Sequence, residues 1–170
     1  MSPLREEIQQ QRPFHSKGQE GFLSLLRTAD LLKRELSSLV EPQGLTLQQF
    51  NVIRFLRGAG AQGLPTLDIA ERMIEQAPGI TRLLDRLEKK AFVKRERCPG
   101  DRRQVLVAIT PRGLRLLADL DEPVAQADDA LLARLGSRRI VTLIRLLDAV
   151  RNEPRRRPSN TVCSPKEKKA

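Results

Sequence analysis

From Ser16 onward apolar residues recur at helical spacing, at Phe22, Leu25, Leu26, Ala29, Leu32, Leu36 and Leu39, until Pro42 and Gly44 break the run. Steps of three and four residues put these side chains on one face, so the pattern predicts a long helix. Leu23 and Leu31 fall off the stripe. The apolar surface is thus wider than one packing contact needs, and part of it is expected to face another chain. Residues 1 to 15 show no periodicity and contain Pro3 and Pro13, which reads as an arm.

Further along, Thr46 and Gln49 form a T-x-x-Q capping box ahead of Phe50, Ile53 and Leu56, and Gly58 and Gly60 close this second helix. Leu64-Pro65-Thr66 supplies a short extended piece and a hydroxyl cap for TLDIAERMI, with Leu67, Ala70 and Ile74 expected on one side. Pro78 suits the first position of another helix, running to about Lys90, in which Ile80, Leu83, Leu84 and Leu87 form the buried stripe. FVKRERCPGDRRQVLVAIT then reads as two strands around a Pro99-Gly100-Asp101 turn, with Val105, Val107 and Ile109 alternating. A lone hairpin is marginal in water, so it must lean on the helices before it. Thr110-Pro111 opens a helix through Leu114, Leu117 and Leu120 that Pro123 is expected to kink or interrupt. Ser137 is read as the cap of a last helix carrying Ile140, Val141, Leu143, Ile144, Leu147 and Val150. The fold class is mainly α with a small β element.

A chain of 170 residues fits one domain with appended arms, and no apolar run approaches the roughly 18 to 20 residues needed to cross a bilayer. The first residues lack the apolar stretch of a signal peptide, which leads to the expectation of a cytoplasmic protein. The net charge of +10 implies a polyanionic partner. It is unevenly spread: residues 82 to 115 hold eleven basic and four acidic side chains, and residues 151 to 170 hold seven and two, while the remainder is neutral or slightly acidic. The last 19 residues, from 152 to 170, are too poor in apolar side chains to pack and are expected to be disordered, as a solubilising end or a non-specific tether. Trp and Tyr are absent, and Phe14, Phe22, Phe50, Phe55 and Phe92 all precede the densest arginines. Single-strand binders stack bases on rings, so duplex DNA is the better match.

Three short helices followed by a basic hairpin is the order of a winged helix-turn-helix. The third helix can be tested as its reader: opposite its buried stripe stand Gly79, Thr81, Arg82, Asp85, Arg86 and Lys89. Thr81, Arg82 and Arg86 have the chemistry to meet base edges, Lys89 can reach a phosphate, and the small Pro78 and Gly79 let backbone amides approach the duplex. The bland alternative is a solvated helix whose arginines pair with Asp85 and Glu88. Against it stands the neighbouring run of Lys94, Arg95, Arg97, Arg102 and Arg103 on a hairpin narrow enough for a minor groove.

ITRLLDRLEKKAFVKRERCPGDRRQVLVAITPRGLRLL resembles the signature stretch of the multiple-antibiotic-resistance regulator (MarR) family, and LTLQQFNVIRFL and TLDIAERM resemble its preceding helices. The resemblance covers residues 20 to 150 approximately. It implies an obligate homodimer joined by its first and last helices, bound to a palindromic operator and, in many members, released by a small aromatic or phenolic ligand. It further implies that the helix from Pro78 is the recognition helix and that Asp101 and Arg103 form the wing-tip pair, with Arg103 entering the minor groove and Asp101 paired to Arg86. The corresponding division is an arm over 1–15, a winged-helix domain over 16–151 and a tail over 152–170. Within the domain, 16–41 and 111–151 dimerise and 46–110 bind DNA. Ala77 departs from the family's usual hydroxyl residue, at a cost of about 1 kcal/mol of capping at most.

Other candidates carry less. Cys98 beside Arg97 could have an activated thiol, but an ordinary strand residue is the simpler reading, and Cys163 lies in the tail. His15 is too isolated to hold a metal with two distant cysteines, and Asp121, Glu122, Asp128 and Asp129 read as a solvated helical face. No motif of catalysis, cofactor binding or metal binding is present, so no enzyme and no cofactor are expected. The rival classes are a winged helix that docks an acidic protein and a non-specific architectural DNA binder. If the charge is divided between a reader and a tether, deleting residues 152–170 lowers affinity for random duplex while leaving the preferred sequence unchanged, as read by binding-site selection on both proteins.

Overall fold

The computed structural model describes residues 3–74, 79–98 and 104–152, and among these the chain forms seven α-helices and a three-stranded antiparallel sheet. The arm holds a short helix, α1 (Pro3–Glu7), that the absence of periodicity did not predict. Leu4 is buried, and Arg27 Nε donates to Glu7 Oε1 at 2.6 Å, so tertiary contact supports a segment too short to be helical alone. Helix α2 (Lys17–Val40) starts as expected at Ser16, whose hydroxyl accepts from the Gln19 N–H at 3.1 Å. Helix α3 (Leu47–Ala59) opens on the capping box: Thr46 Oγ1 accepts from the Gln49 N–H at 3.2 Å, and Gln49 Oε1 accepts from the Thr46 N–H at 3.1 Å.

Strand β1 (Leu64–Pro65) leads into α4 (Thr66–Arg72), and α5 (Ile80–Lys89) is followed by β2 (Val93–Arg97) and β3 (Val105–Ile109). In the sheet β3 lies between β1 and β2, so the hairpin gains a third strand as well as helical support. Val107, fully buried, faces Leu64 on one side and Arg95 on the other. The core joins Val52, Ile53 and Leu56 of α3, Ile69 of α4, Leu84 and Leu87 of α5 and Val93 and Val107 of the sheet to Leu117, Leu120 and Val124 of α6 (Pro111–Leu132). The last helix, α7 (Gly136–Arg151), buries no residue.

Five local expectations are corrected. On α4 the buried residue is Ile69, while Leu67 and Ile74 are exposed; pairing of β1 with β3 sets the phase at which this short helix begins. Thr66 is the first helical residue rather than the cap, and its hydroxyl turns toward the Val105 carbonyl at 3.5 Å. Pro123 does not end α6, because the buried Leu120 and Val124 on either side hold both halves against the core. Leu114 of α6 is exposed, and Leu116 is buried in its place. Ser137 lies inside α7, which starts at Gly136 without a side-chain cap.

The join between sheet and α6 explains the ITPRG motif. Thr110 Oγ1 accepts from the Gly113 N–H at 3.1 Å and donates to the Ala91 carbonyl at 2.7 Å, drawing the first turn of α6 onto the end of α5. Gly113 there lies so close to the Phe92 carbonyl that a Cβ would overlap its oxygen and come within 2.8 Å of Ile109 Cγ1. Nearby, Arg57 of α3 donates to Asp121 of α6 at 2.7 Å and holds its carboxyl below the usual carboxylate range, a surface pair of small weight. Gly113→Ala is therefore expected to lower unfolding free energy by about 2 kcal/mol. Gly58→Ala, in a helix with open space at that position, is expected to raise it by up to about 1 kcal/mol, both read from urea denaturation.

Candidate nucleic-acid interface

Successive helical residues are turned by about 100°, so the inward stripe of α5 decides what faces out. Leu83, Leu84 and Leu87 are buried and Ile80 packs beside them, which leaves Thr81, Arg82, Arg86 and Lys89 exposed. The helix begins two residues later than the sequence suggested. Gly79 is its N-cap in left-handed backbone, φ +102, a conformation outside the helix, and Pro78 falls outside the described residues. No side chain caps this end, and the first turn holds no acidic residue, so its amide groups keep their affinity for an anion.

The two flanks of α5 are built differently. On one, Arg82 and Arg86 stand with Gly79 and Leu83 across a groove of about 260 Å³ from Thr46, Gln48 and Gln49 of the α3 N-terminus. Sequence reasoning took Thr46 and Gln49 only as a helix cap and passed over Gln48; the one signal was a polar turn ahead of a helix that packs on the reader. On the other flank runs β2. From it the Arg95 guanidinium donates through Nη2 to the Thr81 carbonyl at 3.2 Å and pairs with Asp85 Oδ1 at 2.7 Å, while its Nε lies 3.6 Å from Glu88 Oε2 and makes no hydrogen bond.

The carboxylates of α5 are therefore engaged by the wing strand rather than by the helix's own arginines. The side chains of Arg82, Arg86 and Lys89 have no ion pair or hydrogen bond among the described residues. On β2, Arg97 is exposed at the outer end, and Lys94 pairs with Glu96 at 2.7 Å on the opposite strand face. Asp101, Arg102 and Arg103 lie outside the described residues, as does the expected Asp101–Arg86 pair. Cys98 is buried, its N–H donating to the Gln104 carbonyl at 3.0 Å. Among the described residues no group of three or more His, Cys, Asp or Glu is placed to hold a metal, and no helix is long and apolar enough to cross a membrane.

A buried three-leucine stripe, an exposed cationic face and a sheet hairpin against one flank define a winged helix-turn-helix. The MarR family model matches residues 45–105. The crystal structure of a MarR transcription factor from Planctomyces limnophilus is 42% identical, covers 81% of this chain and 99% of its own, and superposes with a TM-score of 0.62. A mutant of E. coli MarR complexed with operator DNA is 28% identical over 76% of this chain and 91% of its own, TM-score 0.69. Bordetella bronchiseptica BpsR, whose DNA binding is regulated by 6-hydroxynicotinic acid, is 26% identical over 84% and 99%, TM-score 0.71. The chain belongs to the MarR family and is a DNA-binding transcription regulator.

The left-handed cap gives a direct test. Gly79→Val is expected to cost about 1–3 kcal/mol, and Gly79→Asn clearly less because Asn tolerates that backbone, with chemical denaturation as the measure.

Proposed function

We propose that this regulator is a homodimeric repressor that reads an inverted-repeat operator in duplex DNA. The observation that carries the reading is the set Arg82, Arg86 and Lys89, exposed on the outward face of α5 and without a side-chain partner among the described residues. Thr81, Arg82 and Arg86 meet base edges in the major groove. Lys89 and Arg97 contact phosphate, Pro78 and Gly79 admit the helix end, and Asp101, Arg102 and Arg103 serve the wing. Residues 46–110 form the DNA-binding lobe.

Residues 16–41 and 111–151 form the dimer. Phe22, Leu26, Val141, Ile144 and Leu146 are exposed on α2 and α7, and α7 buries nothing within its own chain, which supports a second copy as the cover. Two readers related by a twofold axis require half-sites about one helical turn apart. Release by a small aromatic ligand is part of the reading, supported by the regulation of BpsR by 6-hydroxynicotinic acid. A regulator of this kind works in the cytoplasm and needs no catalytic group.

Selection on random duplex DNA tests the reading: a recovered inverted repeat supports it, while tight binding without a motif favours the architectural rival and no binding favours a protein-docking module. Arg82→Ala and Arg86→Ala are expected to relax sequence preference at their positions by about 1–3 kcal/mol, whereas Lys89→Ala weakens all duplexes alike and lowers the salt slope by about 1. Unchanged operator affinity in all three would show that another surface reads the DNA.

A further inference from the structure

Arg95 was expected among the DNA contacts. We infer instead that it is a positioning residue: its guanidinium clamps the wing strand to the wing-side flank of α5 and offsets part of the charge of the two carboxylates that the helix would otherwise turn toward DNA. This rests on the proposed reading of α5 as the helix that enters the duplex.

Alternation along β2 places Val93, Arg95 and Arg97 on one strand face. Val93 is in the core and Arg97 is exposed, so Arg95 stands at the boundary, opposite the fully buried Val107. Its side chain is 21% exposed, against 47% for Asp85 and 43% for Glu88. Its contacts, Thr81, Asp85 and Glu88, are spaced by four and three residues and so line one stripe of α5. One guanidinium thus spans two turns of the reading helix.

The charge pattern agrees. Two carboxylates on the outward half of a reading helix repel phosphates unless a cation is held against them. Arg82 and Arg86 are on the far flank, across the groove from α3, and Lys94 is paired with Glu96 on the other face of β2. Arg95 is the cation shown pairing with Asp85 and Glu88. Engaged with them, it has little charge left to offer a phosphate, while Arg82 and Arg86 have no side-chain partner among the described residues.

The test uses the full-length protein, the operator recovered by selection, and fluorescence anisotropy at several salt concentrations. Arg95→Met is expected to weaken operator binding tenfold or more and to narrow the gap between operator and random duplex, with an unchanged log–log salt slope. A slope shallower by about 0.9 for each subunit would show a phosphate contact and overturn the role. Arg95→Lys keeps the charge but cannot hold the Thr81 carbonyl and the Asp85 carboxylate at once while facing Glu88; the clamp predicts that it behaves like Met, and binding equal to the unmodified protein overturns it. Asp85→Ala decides by sign. If Asp85 only repels DNA, its removal strengthens binding and the clamp is wrong; a clamp predicts weaker operator binding and lost preference. Failure of the unmodified protein to select any motif overturns the proposed function and this role with it, whereas a shallower slope with the motif intact overturns the role alone.

Discussion

The lobe from α3 to β3 depends on the pairing of β3 with strands on both sides. Neither the two-residue β1 nor the hairpin of β2 and β3 would be stable alone in water, and Val107 is where they meet in the core. Through β1 this ladder sets the phase of α4. Through β2 it sets the distance at which Arg95 stands from α5. Through Ile109 and Thr110 it delivers the chain into α6, where the missing side chain of Gly113 lets the new helix settle on the Phe92 carbonyl. A shift of one residue in this ladder would turn Val93 and Val107 out of the core and Lys94 toward the helix.

Burial divides the chain into two kinds of surface. The lobe from α3 to β3, closed by the first half of α6, buries most of its own apolar residues, with Leu67, Ile74 and Leu114 left outside. The opposite holds for α7 and much of α2, whose apolar stripes remain in solvent within one chain. The division leaves one lobe with a core of its own and the two helices at the ends of the fold with apolar side chains uncovered.

The electrostatics of α5 are likewise a shared product. Its own sequence carries three outward cations and two carboxylates, which in isolation pair within the helix. The strand that follows brings Arg95 to Asp85 and Glu88, and the arginines on the far flank have no side-chain partner among the described residues. Which of the helix's charges are already paired is decided in part by a residue that is not on it.

Much of this was legible in the residues. The stripe of Ile80, Leu83, Leu84 and Leu87, the Thr46–Gln49 capping box, the Thr110 cap and the alternation around Val107 are local patterns with few physical solutions, and each folds as its spacing dictates. The family resemblance lay in the same stretch. What the chain order could not express was the choice among neighbours distant in sequence. Leu67 and Ile74 fit an apolar stripe as well as Ile69 does until β1 pairs with β3 and rotates α4. Arg95 looks like any wing arginine until strand alternation and the position of α5 place it over two carboxylates, fourteen residues from the Thr81 carbonyl it also holds. Local periodicity is governed by bond geometry and solvent and so is readable along the chain. Which charge neutralises which depends on distances across the fold, and those exist only once the core has closed.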